Sequence, residues 1–118
     1  MFETFANKFV RFMRQRENSS VQPKGGLLCD EMGLGKTIMM LANIVNGRPA
    51  PGSKLKATLI VAAPALIAQW DQEIRAHCQT RRESKHGIGL VIHHRHGNRV
   101  NSNESEDLLA SADIVLTT

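Results

Sequence analysis

The residues most able to do chemistry lie in one stretch, "LLCDEMGLGKTIMM", Leu27 to Met40. Two acids, Asp30 and Glu31, precede Met32, then Gly33 and Gly35 alternate with Leu34, and Lys36 and Thr37 close the run. Glycines at such spacing supply backbone freedom where a Cβ would block a tight turn or the close approach of a ligand. A lysine after them offers a mobile point charge to the β- and γ-phosphates of a nucleotide, and a threonine hydroxyl can take a position on a magnesium ion. The chemistry indicated is the holding of a nucleoside triphosphate with Mg2+. In a strict phosphate loop a glycine stands four residues before the Gly-Lys-Ser/Thr end, and here that position holds Asp30. With Glu31 it brings two carboxylates near a polyanion, so both side chains must turn away from it.

Such a loop works only between a buried strand and a helix, because a helix N-terminus leaves main-chain N–H groups unpaired and carries partial positive charge. The flanking sequence fits. Leu27 to Cys29 is too short for a helix and suits a buried strand, and "IMMLANIVN" after Thr37 is apolar almost all round, as a helix packed on a sheet should be. Asn46-Gly47 supplies its stop.

The remaining elements alternate. Upstream, Phe2, Phe5, Ala6, Phe9, Phe12 and Met13 recur at helical steps while Lys8, Arg11 and Arg14 fall elsewhere, giving an amphipathic helix followed by a polar loop through Pro23. Downstream, Ala57 to Ala63 is continuously apolar and β-branched, which predicts a strand covered on both faces. Pro64 ends it, and a helix follows with Leu66, Ile67, Trp70 and Ile74 on one side and Gln69, Gln72, Glu73 and Arg75 on the other. A third strand runs from Ile88 with Leu90 and Ile92 on the same face, then comes a short helix over "ESEDLLASA" with Asn103 and Glu106 at capping-box-like spacing, then a last strand "DIVLTT". Strand and helix in alternation define a parallel α/β sheet flanked by helices.

Composition bounds the partners. The 118 residues, 42% of them hydrophobic, suffice for one modest core. Fifteen Lys and Arg against eleven Asp and Glu give +4, compatible with a polyanion partner and not diagnostic of one. Lys54, Lys56, Arg95 and Arg99 sit in loops, where charges usually face water. Cys29 and Cys78 do not form a disulfide framework and point to a reducing, intracellular setting. No apolar run reaches the roughly 20 residues that span a bilayer, and "MFETFANKF" lacks a secretory pattern, so a soluble protein is expected, with no membrane partner. His93, His94 and His96 lack the further ligands a zinc site needs. Asp113 precedes its apolar strand and is therefore not the magnesium acid of an ATPase. Trp70, four residues from both Leu66 and Ile74, reads as core before it reads as a base-stacking platform.

With those residues in place, "DEMGLGKT" resembles motif I of the SWI/SNF-type helicase-like ATPases, a branch of helicase superfamily two. "LIVAAPALIAQWDQEI" is similar to that family's motif Ia and "ADIVLTT" to the strand bearing its next DNA-facing motif, in the same order across residues 25–118. The fungal branch that couples such a motor to a RING finger in DNA repair looks most similar. The resemblance implies an incomplete P-loop RecA-like sheet at 25–118, led in by a helix and loop at 1–24, and a nucleus-located, ATP-dependent, double-stranded DNA translocase of chromatin or repair. It implies nucleotide contacts from Asp30, Glu31, Met32, Gly33, Leu34, Gly35, Lys36 and Thr37, magnesium at Thr37, and DNA-facing roles for Gln69, Trp70, Thr117 and Thr118. Such contacts go to sugar and phosphate, since a translocase must ignore sequence.

Two departures accompany the resemblance. The family's adenine-reading glutamine would fall near Ala6-Asn7-Lys8, where there is none. The sequence reaches Thr118 before the strand of the acidic motif and before the second lobe with its arginine, so a gene fragment or shortened gene model is expected, unable to hydrolyse ATP alone and with an unpaired apolar edge on its phosphate-loop strand. A nucleotide-binding fragment with no motor role, or a P-loop small-molecule kinase, are the alternative readings.

Overall fold

The computed structural model describes residues 5–29, 31, 33, 35–50, 52–54, 56–80, 83, 85–93 and 106–118. The chain divides into two compact units, Met1–Gly47 and Arg48–Thr118. In order, the elements are α1 (Phe5–Glu17), α2 (Lys36–Asn46), β1 (Thr58–Val61), α3 (Pro64–His77), β2 (Leu90–His93), α4 (Glu106–Ser111) and β3 (Ile114–Thr117). Among the described residues no helix is long and apolar enough to cross a membrane.

In the first unit α1 and α2 pack together. The amphipathic spacing is realised in α1, whose Phe9 and Met13 are half-buried, although Phe12 remains 55% exposed. Phe2 and the side chains of Phe5 and Ala6 lie outside the described residues. The buried residues of α2 are Met39, Leu41 and Asn43. Asn43 Nδ2 donates to Glu17 Oε1 at 2.8 Å and ties the two helices. At the end of α2, Gly47 N–H donates to Asn43 O at 2.9 Å, and the Arg14 guanidinium fills the space that a Cβ on Gly47 would need. With no basic residue in its own last turn, α2 thus receives a cation at its negative end from α1.

Two expectations for this unit are corrected. Leu27 to Cys29 is not a strand, and Leu27 and Cys29 are exposed. Extended residues become a strand only when their main-chain groups enter a ladder, and among the described residues none pairs with them. Nor is α2 covered all round, since Ile38 and Val45 stay exposed beside its buried residues.

The second unit is a three-stranded parallel sheet in the order β1-β3-β2. Parallel neighbours need long crossovers, and α3 and α4 lie in them. The central strand β3 holds the core: Ile114 and Leu116 are fully buried, with Ile67 and Ile74 of α3 and with Ile88 and Ala112. The period-2 alternation puts Ile114 and Leu116 on one face and half-buried Val115 and Thr117 on the other. On the outer side of α3, Arg75 pairs with Asp71 at 2.7 Å and His77 with Glu73 at 3.2 Å.

β1 departs from the expected strand covered on both faces. Leu59 is 62% and Val61 65% exposed, because β1 occupies the sheet edge while α3 packs on β3. Leu66, expected on the apolar side of α3, is exposed in its first turn. β2 begins at Leu90, and Ile88 instead makes an isolated parallel bridge with Thr80. Asn103, the proposed cap of α4, lies outside the described residues, as do His94, Arg95, His96 and Arg99.

Candidate functional site

The candidate site is built on the amino end of α2. Gly33 and Gly35 adopt φ of 86° and 78°, the left-handed region in which a side chain strains the backbone. Gly35 is the N-cap of α2 and, being a glycine, gives no side-chain cap; the first helical bond is Met39 N–H to Gly35 O at 2.9 Å. The first turn holds no acid. A Cβ built on either glycine meets nothing within 4 Å, so the loop is open where a ligand would approach. The absence of a side-chain cap from Gly35, the positive end of the helix dipole and this open space together suit an anion.

Lys36 opens the helix and donates from Nζ to the main-chain oxygen of Glu31 at 2.8 Å. The ammonium is thereby folded back over the loop, and Thr37 beside it is half-buried. Glu31 is exposed. Asp30, Met32 and Leu34, also expected at this site, lie outside the described residues.

Upstream, Arg16 of α1 braces the approach to the loop, with Nη2 donating to Pro23 O at 3.1 Å and Nε to Gly25 O at 3.4 Å. The sequence reading missed this role, because a basic residue in a last helical turn signals only dipole compensation. A cavity of about 160 Å³ lies beside these residues, lined by Phe9, Phe12, Met13, Leu27, Leu28 and Met40 among others.

The residues expected to face DNA sit in the second unit. Gln69 is exposed and Trp70 half-buried on α3, so Trp70 is neither fully core nor an open platform. Thr117 closes β3 and Thr118 follows it, exposed. Ala62 N–H donates to Thr117 O at 2.9 Å, so the end of β3 lies beside the turn into α3. Thr117 and Thr118 thus lie at the carboxyl ends of the strands, where open α/β sheets place their ligands, whereas Gln69 and Trp70 lie midway along α3.

At the opposite end of the sheet Asp113 is the hub. Its Oδ2 accepts from Gly89 N–H at 2.8 Å and from Arg48 Nη2 at 3.0 Å, and Arg48 Nη1 reaches His86 O at 3.2 Å. Its own main-chain oxygen accepts from Thr58 N–H, so Asp113 joins β1 to the lead-in of β2. No signal local in sequence marks this residue, whose partners are 24 and 65 positions away. Among the described residues no His, Cys, Asp and Glu cluster could hold a metal ion.

The second unit is a parallel α/β sheet, and the first carries a glycine loop that opens a helix. The SNF2-related domain family matches residues 5–118, so the chain belongs to that family and is a RecA-like α/β fragment. It is 40% identical over 109 residues to an uncharacterized ATP-dependent helicase of Schizosaccharomyces pombe, covering 92% of this chain and 10% of that protein. It is 31% identical over 113 residues to ATP-dependent helicase rhp16 of the same yeast, covering 96% of this chain and 11% of that one. With the DNA repair protein RAD5 of Yarrowia lipolytica it shares 34% over 95 residues, 80% of this chain and 8% of the relative. The chain spans about a tenth of the length of these relatives. No solved structure matches.

Proposed function

We propose that this chain is the ATP-binding portion of an ATP-dependent DNA translocase of chromatin or DNA repair. The observation that carries the reading is the open, uncapped amino end of α2 behind Gly33 and Gly35, with Lys36 at its first position. Membership of the SNF2-related family and the relatives described as ATP-dependent helicases and a DNA repair protein support it.

In this reading the loop from Asp30 to Thr37 receives the triphosphate of ATP. The α2 amides and Lys36 neutralise the phosphates, and Lys36 exchanges its bond to Glu31 O for a phosphate oxygen. The Thr37 hydroxyl is the ligand this chain offers to Mg2+, which supplies charge neutralisation when bound. Gln69, Trp70, Thr117 and Thr118 contact the sugar-phosphate backbone of double-stranded DNA within a complete motor, without reading bases. The nucleus is the corresponding location.

In this reading the 118 residues bind nucleotide without turning it over, because neither β1 nor β2 is followed by an acidic pair that could orient magnesium and water. Calorimetry with Mg-ATP and phosphate release with and without duplex DNA test both parts. Binding heat without phosphate release is expected. DNA-stimulated release abolished by Lys36→Ala would replace the binding-only reading with an active ATPase, and absence of heat from a folded sample would overturn the nucleotide assignment.

A further inference from the structure

The outer edge of β1 is the strongest unassigned surface. Thr58 N–H and Ala62 N–H donate to Asp113 O and Thr117 O of the β3 segment at 2.8 and 2.9 Å. Main-chain groups alternate sides along a strand, so the N–H and C=O groups of Leu59 and Val61 point away from β3. No strand among the described residues lies on that side. The side chains of Leu59 and Val61 are themselves exposed, at 62% and 65%.

Natural sheets blunt such an edge with a lysine, a proline or a bulge. Ala57 to Ala63 carries no charge and no proline, and the β1–β3 register is unbroken. We propose that β1 is a self-association edge, on which β1 of a second copy adds antiparallel about a two-fold axis at Ile60. This inference is independent of the nucleotide reading.

Geometry and charge select that occupant and that direction. With the axis at Ile60, Leu59 of each copy exchanges both main-chain bonds with Val61 of the other, which satisfies every outward group of β1. Leu59 then faces Val61 across the seam on one side of the joined sheet, an apolar pair of the kind that stabilises strand pairing. Lys56, exposed just before β1, decides the direction. Parallel in-register addition would set Lys56 against Lys56, whereas the antiparallel seam sets each Lys56 opposite Pro64 of the other copy and separates the two charges. The interface is isologous and closed, so a discrete dimer forms rather than an open fibre.

Sedimentation equilibrium of the full chain tests this, with circular dichroism as the folding control. The wild type is expected as a concentration-dependent monomer–dimer mixture. Val61→Pro deletes an outward N–H while leaving the β3-facing bonds of Thr58 and Ala62, and Leu59→Lys places a charge on the seam. Each should raise the dimer dissociation constant by roughly tenfold or more. Leu66→Lys, an equally conservative exposed change off the edge, should leave it unaltered. A folded wild type that stays monomeric at every concentration, a dimer that survives in folded Leu59→Lys, or open-ended assembly in place of a dimer would each overturn the proposal.

Discussion

Lys36 Nζ lies 2.8 Å from the main-chain oxygen of Glu31, so the charged group at the head of α2 is held by the loop it follows. In the proposed nucleotide complex a phosphate replaces that carbonyl, an exchange that favours the ligand because an anionic acceptor makes the stronger bond. Lys36→Ala should weaken Mg-nucleotide binding by about tenfold to a hundredfold, the range expected from losing a hydrogen bond to a charged group. Calorimetric titration reads this directly. Unchanged affinity in the variant would show that the lysine stays on Glu31 and does not serve the ligand.

Gly35→Ala should destabilise the amino end of α2 by about 1–2 kcal/mol, the cost of a left-handed conformation for a residue with a Cβ. Since a Cβ there meets nothing, the penalty is conformational and not steric. A synthetic chain with D-alanine at position 35, which favours positive φ, should retain wild-type stability. Equal losses for the two enantiomers in urea denaturation would contradict the argument.

Asn43 is 4% exposed, and its Oδ1 has no hydrogen-bond partner while Nδ2 bonds Glu17. Glu17→Ala should cost about 1–3 kcal/mol by leaving both polar atoms of Asn43 buried and unpaired. Asn43→Leu removes the polar group altogether and should be neutral or stabilising, since Glu17 can turn to water. The half-exposed Arg14 to Glu17 pair at 3.8 Å contributes little to either result. Thermal melts of the two variants that shift alike would refute the asymmetry.

Asp113→Ala strips the acceptor from Gly89 N–H and from Arg48. The expected loss is about 1–3 kcal/mol, arising chiefly at the part-buried Gly89 amide, because Arg48 can rehydrate. Asp113→Asn keeps an acceptor oxygen and should lose less. Hydrogen exchange should show faster opening at Gly89 in the alanine variant, and unchanged protection there would count against the hub.

Burial pushes the Cys78 thiol above its ordinary pKa, while Cys29 is exposed. Alkylation should therefore modify Cys29 first and reach Cys78 only at more alkaline pH. The sign for stability follows: with the folded pKa raised, the contribution of the protonated thiol is complete below the ordinary value of about 8.5 and is lost as pH rises through the raised one. Cys78→Ala should flatten that alkaline decline in melting temperature, and an identical decline in the variant would remove Cys78 as its source.

Local pattern was enough for several features. The alternation of α3 with β1, β2 and β3, the stop at Gly47, and the need for backbone freedom at Gly33 and Gly35 each depend on a few adjacent residues. Periodicity and backbone sterics act over such distances, so they are written into short windows of sequence. The likeness to the SNF2-related family was legible for the same reason, since its motifs are contiguous strings.

What sequence could not decide was which apolar surface finds a partner. Leu27 and Leu28 read as a strand, and Leu59 and Val61 as doubly covered, yet Leu27 enters no ladder and β1 ends as an exposed edge. Whether an apolar run is buried depends on the elements that pack against it, and these come from distant parts of the chain. Asn43 with Glu17, and Asp113 with Arg48 and Gly89, follow the same rule. Residue type alone marks them as ordinary surface polar groups; only tertiary packing removes the water that would otherwise satisfy them and makes the pairings count.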